Sequence, residues 1–294
     1  VEVGVPEEPP HAAELRIPHW VERDVTPQLR LLGHGVGKES MVAGETLYLR
    51  LFWEALDEMD EAYRLQLALR GEDGQIYGER EFDLVNTDYP THLWKEGQLL
   101  QERYYLPVSE GVPTGEATVE LNLVNANGKS VNPDPVSVTR VWIQSKKPSF
   151  DMPADLTTPS GAIFGEKVRL LGYDLETSAR IGGGVEVTLH WKAEEEMEED
   201  YKVFVHLYDE TGSLVAQRDR LPGLGARPTR VWEKGEVVAD RYRIPMGREI
   251  REGTYRVGVG LYEAETGERL TVVGSDGSRL DQDRTLLGSV EIQQ

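Results

Sequence analysis

Two tryptophans in matching settings, Trp94 and Trp232, are the first residues in this chain whose type and spacing could do chemistry. Each follows the pattern Pro-Thr-x-x-Trp-x-x-Gly, in YPTHLWKEGQLLQERYYLP (89–107) and RPTRVWEKGEVVADRYRIP (227–245). The two stretches share seven of nineteen positions. An exposed indole is a flat apolar face on which a sugar ring can stack, which makes Trp94 and Trp232 glycan-stacking candidates. The same residues also read as indoles covering the open end of a β fold, with Gly97 and Gly235 permitting a turn. Large aromatics usually bury their area, and the polar residues around the two copies diverge, so the structural reading leads. Arg103 and Arg241 fall on the outward parity, beside the inward Tyr104 and Tyr242.

Hard carboxylate oxygens suit calcium, and SDGSRLDQDR (275–284) offers Asp276, Asp281 and Asp283 as metal candidates for Ca²⁺. The acidic runs EALDEMDEA (54–62) and EEEMEED (194–200) lack the spaced ligands of a calcium loop and read as solvated loops. His190 and His206 sit on the outward parity of neighbouring strands, where they could approach each other across a sheet; two ligands do not make a zinc site. There is no G-x-S-x-G elbow, Gly-rich phosphate loop or H-E-x-x-H. The expectation is a protein that is not an enzyme and needs no cofactor beyond a possible Ca²⁺.

The chain has 294 residues, enough for two domains with their own cores. Its net charge of −20 repels phosphate backbones, so nucleic acid is not an expected partner. Zero cysteines exclude disulfides, thiol catalysis and Cys-ligated zinc. No apolar run approaches the roughly 20 residues of a membrane helix, so no membrane insertion is expected. The start at Val1, with no charged-then-apolar leader, suits a processed N-terminus.

Sliding the sequence on itself by 138–139 residues aligns LRLLGHGV (29–36) with VRLLGYDL (168–175), Trp53 with Trp191, Tyr63 with Tyr201 and Gly74 with Gly212. So constant a spacing implies a duplicated unit. Leu47, Leu49, Leu51 and Trp53 alternate with Thr46, Tyr48, Arg50 and Phe52, and Val185, Val187, Leu189 and Trp191 repeat the pattern; period two means strands with one buried face. Turn formers separate them, as in GEDGQ and DETGS. Strands are expected near 29–35, 45–53, 63–70, 75–84, 99–106, 116–124 and 136–144, and again in the second half. The expected fold is all-β, two tandem antiparallel β-sandwiches, immunoglobulin-like or jelly-roll, related by internal duplication. Expected domains are an N-terminal extension (1–20), sandwich 1 (21–144), a Pro-rich linker or strap (145–162) and sandwich 2 (163–294).

The second copy, VRLLGYDL…VTLHWKAEEEMEEDYKVFVHLYDETGSLVAQRDRLPG…PTRVWEKGEVVADRYRIP…GTYRVGVGLYEAETGERL, resembles the extracytoplasmic β-sandwich domain that follows the membrane part of many bacterial mannosyltransferase-like membrane proteins. The resemblance covers about residues 163–271, and the first copy is a diverged version. It implies a place outside the cytoplasm and a link to surface carbohydrate or envelope architecture. It carries over no catalytic residues, and this chain departs from the family in having no membrane or transferase portion.

Two functions follow as expectations. The first is an extracellular, cell-surface structural protein that self-assembles with copies of itself into a filament or sheath. Val1, Val3 and Val5, alternating with Glu2 and Gly4, are the subunit-contact candidates, as a strand added to a neighbour's sheet edge. The alternative is a pair of carbohydrate-binding modules of the cell envelope, with a cell-surface glycan as partner.

Overall fold

The computed structural model describes residues 15–85, 89–154 and 156–294. It is all-β, built from antiparallel and mixed sheets, and divides into two compact units, Val1–Ile143 and Gln144–Gln294. No helix among the described residues is long and apolar enough to cross a membrane.

The first unit contains β1 (His19–Thr26), β2 (Leu29–Val36), β3 (Ser40–Val42), β4 (Thr46–Ala55), β5 (Arg64–Gly71), β6 (Ile76–Asp83), β7 (Leu99–Pro107), β8 (Gly115–Val124) and β9 (Val136–Gln144). They form two sheets, in the orders β1-β2-β4-β7 and β3-β9-β8-β5-β6. The seven expected strands lie within a residue or two of these bounds; β1 and the short β3 were not anticipated, and β1 starts at His19, inside the stretch read as an extension. Alternation decides the core: Leu47, Leu49, Leu51 and Trp53 of β4 join Leu65, Leu67 and Leu69 of β5 and Val119, Leu121 and Leu123 of β8 in one apolar cluster drawn from both sheets.

A bulge in β2 between Leu31 and Gly33 breaks that alternation. Leu29 and Leu31 before it and Val36 after it meet the same apolar cluster, while Leu32, at the bulge, buries against Ile17 and Phe52 in a separate small cluster on the other face. Only glycine fits at 33, because a Cβ there would lie 2.2 Å from the carbonyl oxygen of His19.

The second unit contains β10 (Thr158–Pro159), β11 (Ile163–Phe164), β12 (Val168–Leu175), β13 (Ser178–Arg180), β14 (Gly184–Ala193), β15 (Tyr201–Tyr208), β16 (Leu214–Arg220), β17 (Val237–Pro245), β18 (Gly253–Glu263), β19 (Val272–Val273) and β20 (Thr285–Gln293). One sheet has the order β17-β14-β12-β11-β19, with β10 also on β12; the other runs β13-β20-β18-β15-β16, with β13 and β20 parallel. The order β2-β4-β7 therefore recurs as β12-β14-β17, and β3-β9-β8-β5-β6 recurs as β13-β20-β18-β15-β16. The stretch read as a linker is tied to this unit: the carbonyl of Lys146 accepts from the Arg227 guanidinium, and the carbonyl of Ser149 accepts the N–H of Val237.

Candidate functional site

The doubled stretch is built as scaffolding in both units. Pro90 and Pro228 each precede a single 3-10 turn, Thr91–Leu93 and Thr229–Val231. Thr91 Oγ1 donates to the carbonyl of Glu61 and accepts the N–H of Tyr63; Thr229 Oγ1 does the same with Glu199 and Tyr201, all at 2.8–2.9 Å. Each fully buried threonine thus fixes the loop before β5 or β15. Gly97 and Gly235, at φ of 79° and 87°, donate to the carbonyls of Ala55 and Ala193.

The indoles of Trp94 and Trp232 are 0% and 2% exposed, and their Nε1 atoms donate to the carbonyls of Tyr89 and Arg227. A sugar needs an open ring face, so the glycan-stacking expectation for Trp94 and Trp232 fails. The cause is the burial of large aromatic area in each unit's own core.

The structure does not gather the three calcium candidates into one site. Asp276 Oδ1 already accepts the N–H and hydroxyl of Ser278, Asp283 pairs with Arg279 at 3.2 Å, and Asp281 joins neither. Among the described residues no three His, Asp or Glu side chains gather into a metal site. The acidic runs are held by matching cations, Glu58 by Lys95 and Glu195 by Lys234. His190 and His206 do not meet, because β14 and β15 belong to different sheets: His190 binds Asp174, while buried His206 lies between Tyr208 and Asp219. Val1, Val3 and Val5 lie outside the described residues.

Of the seven identities in the doubled stretch, the arginine is the one whose side chain the scaffold does not use in both units. Arg241 pairs with Glu186. Arg103 is exposed on β7, and Glu102 turns its carboxylate to the backbone N–H of Arg103, not to the guanidinium.

Around Arg103 the antiparallel register of β4 and β7 assembles a surface that sequence reasoning missed. Tyr48 faces Tyr105, and Arg50 faces Arg103 one row along the same side of the sheet. Tyr48 and Tyr105 are 66% and 46% exposed, against the burial of the tryptophans. Gly35 and Gly37 of the neighbouring strand line up beside Arg50 and Tyr48 and raise no side chain over them. The guanidinium of Arg50 lies over the Phe52 ring at 4.9 Å. Arg80, from β6, sits over the Tyr105 ring at 4.3 Å and donates to its hydroxyl at 3.1 Å, and Phe82 meets that ring edge-on. A shallow depression of about 470 Å³ opens beside Tyr48, bounded by Lys38, Glu45 and Thr46.

The sequence held one signal for this surface: Tyr48 and Tyr105 are aromatics on the solvent parity of their strands. Their pairing was hidden, because β4 and β7 are neighbours only in the folded sheet.

Comparison with protein-family models finds no match to this chain, and comparison with curated proteins finds none either.

Two other clusters are accounted for by packing. On the outer face of β5, β6 and β8, a trough of about 530 Å³ is lined by groups that satisfy one another: Asn122 donates to Gln66, Gln66 to Glu81, and Arg70 pairs with Glu120. In the second unit, Asp240 is fully buried between Arg220, the hydroxyl of Tyr242 and the N–H of Gly223. Burial raises the Asp240 carboxyl, with Arg220 opposing, and holds the Tyr242 hydroxyl well above its ordinary value.

Proposed function

We propose that this chain is a non-catalytic, carbohydrate-binding protein of the cell envelope, made of two β-sandwiches related by internal duplication, and that the first unit binds glycan on the face of Tyr48 and Tyr105. The recurrence of one strand order in both units supports the duplication. The pairing of two sheets over one apolar cluster supports the sandwich. The observation that carries the binding reading is the adjacent, exposed tyrosine pair. Tyr48 offers the more exposed ring, and Tyr105, which carries Arg80 over one face, extends it into an aromatic surface with polar rims. An extracytoplasmic place is proposed on the resemblance of residues 163–271. Self-assembly rested on Val1, Val3 and Val5, and no contact among the described residues adds to it.

The test is affinity electrophoresis of the whole chain through gels containing neutral glucan, mannan, xylan or galactan and acidic polysaccharides. Retardation by at least one, lost in Tyr48→Ala/Tyr105→Ala with thermal unfolding unchanged, is the expected result. Equal mobility of wild type and variant in every gel overturns the reading.

A further inference from the structure

We infer that the ligand of this face is an acidic polysaccharide whose carboxylates are bound by Arg50 and Arg103. The inference deepens the tyrosine-platform reading and rests on it.

Charge is the first argument. The chain carries 52 acidic against 32 basic side chains, so a guanidinium finds carboxylates readily. In the first unit Arg30, Arg64, Arg70 and Arg140 each meet at least one. Arg16, Arg23, Arg50, Arg80 and Arg103 meet none among the described residues; what sets Arg50 and Arg80 apart is that they face aromatic rings instead, and Arg103 that it faces Arg50. These last three cations, which no carboxylate neutralises among the described residues, around two exposed rings on a protein of net charge −20, form a local reversal of sign.

Register is the second. Arg50 and Arg103 are direct cross-strand partners, with Cα atoms about 5 Å apart. Like charges directly opposite destabilise a sheet. In the second unit the corresponding row, Thr188 opposite Arg241, has one cation, and Glu186 neutralises it. The first unit keeps both cations, and Tyr48 stands where the second unit has that acid.

Spacing is the third. The tyrosine row and the arginine row are two residues apart along each strand, about 6.8 Å. A pyranose ring resting on Tyr48 and Tyr105 would therefore place a substituent on its edge over the guanidiniums. A carboxylate there can accept paired N–H groups, a geometry that arginine holds and a neutral hydroxyl does not exploit.

The deciding experiment measures binding of polygalacturonate and polymannuronate by calorimetry, each against its methyl-esterified form, which keeps the sugar backbone and removes the charge. The whole chain, Arg50→Gln, Arg103→Gln and Tyr48→Ala/Tyr105→Ala are compared. The inference expects a uronate to bind and its ester to bind about tenfold or more weaker, a preference that salt diminishes and that either arginine variant largely removes. Without ligand, Arg50→Gln and Arg103→Gln should melt no lower than wild type, because each relieves the facing charges. Equal binding of acid and ester overturns the acidic ligand and leaves the tyrosine platform standing. Binding of neutral polysaccharides alone does the same. Binding of none of the polysaccharides overturns both.

Discussion

Glu236 and Arg227 form a deeply buried ion pair in the protein's second unit, and Glu236→Gln should unfold that unit selectively. Their side chains are 1% and 10% exposed, and two guanidinium nitrogens reach the carboxylate at 2.5–3.1 Å. Glu236 also accepts the N–H of Glu233, while Arg227 donates to the carbonyl of Val231. Removing one partner of such a pair leaves an uncompensated buried charge, at a cost of about 3–5 kcal/mol. The first unit shows the neutral solution: Tyr89 and Gln98 occupy the corresponding positions and hydrogen-bond at 2.9–3.0 Å. Arg227→Tyr/Glu236→Gln should therefore recover most of the loss, to within about 2 kcal/mol of wild type, because no buried charge remains. The assay is hydrogen exchange of the intact chain in rising urea, read on peptides from β14 and β17, since two units need not unfold as one. A Glu236→Gln cost below about 0.5 kcal/mol, the range of a surface change, would refute the account. So would a double variant that loses the sum of the two single changes.

Trp94→Ala and Trp232→Ala should each cost about 3–5 kcal/mol in urea unfolding, the range for buried aromatics, with glycan binding unchanged where the variant stays folded; a binding defect in a folded variant would reinstate the indoles as ligand contacts. The His34 imidazole, buried and stacked on His19, is pushed down from 6.5 to about 4, first by burial and then by the neighbouring imidazole. The fold thus favours neutral His34, and its contribution is whole above pH 6.5 and is lost as pH falls towards 4. That loss, on the order of 2 kcal/mol, should be seen in unfolding titrations of wild type and be reduced in His34→Gln; identical pH profiles for the two would count against it. Millimolar Ca²⁺ should leave the thermal midpoint unchanged, because Asp276 and Asp283 already have partners; a rise abolished by Asp281→Asn would restore the metal reading.

The fold was legible where one physical signal dominated. Period two along 45–53 and 63–70 placed β4 and β5, and turn formers placed the hairpins. Register was not legible, because a strand's partner is set by the packed sheet and not by its own pattern. That is why His190 and His206 were placed together although their strands lie in different sheets, and why Tyr48 was not matched to Tyr105. The bulge at Leu31–Gly33 hid in the same way: it reverses parity within one strand, beside a glycine whose need is set by the close approach of His19. The tryptophans were legible as a motif but ambiguous in role, since the same spacing serves a binding platform and a core plug.

Comparing the two units also explains where function can reside. Positions facing the apolar clusters answer to the same packing in both: Trp53 and Trp191, Tyr104 and Tyr242, Trp94 and Trp232 are buried alike. Exposed outward positions of β4 and β7 are freer, and at three of them the units part, with Tyr48 against Glu186, Arg50 against Thr188 and Tyr105 against Arg243. In the second unit the exchange makes an ion pair that closes the surface on itself. In the first it leaves facing arginines with no carboxylate partner among the described residues, an arrangement that a bound carboxylate would stabilise. A row of like charges that the described residues leave unpaired is where this fold would gain most from an external anion, which is why binding is proposed there.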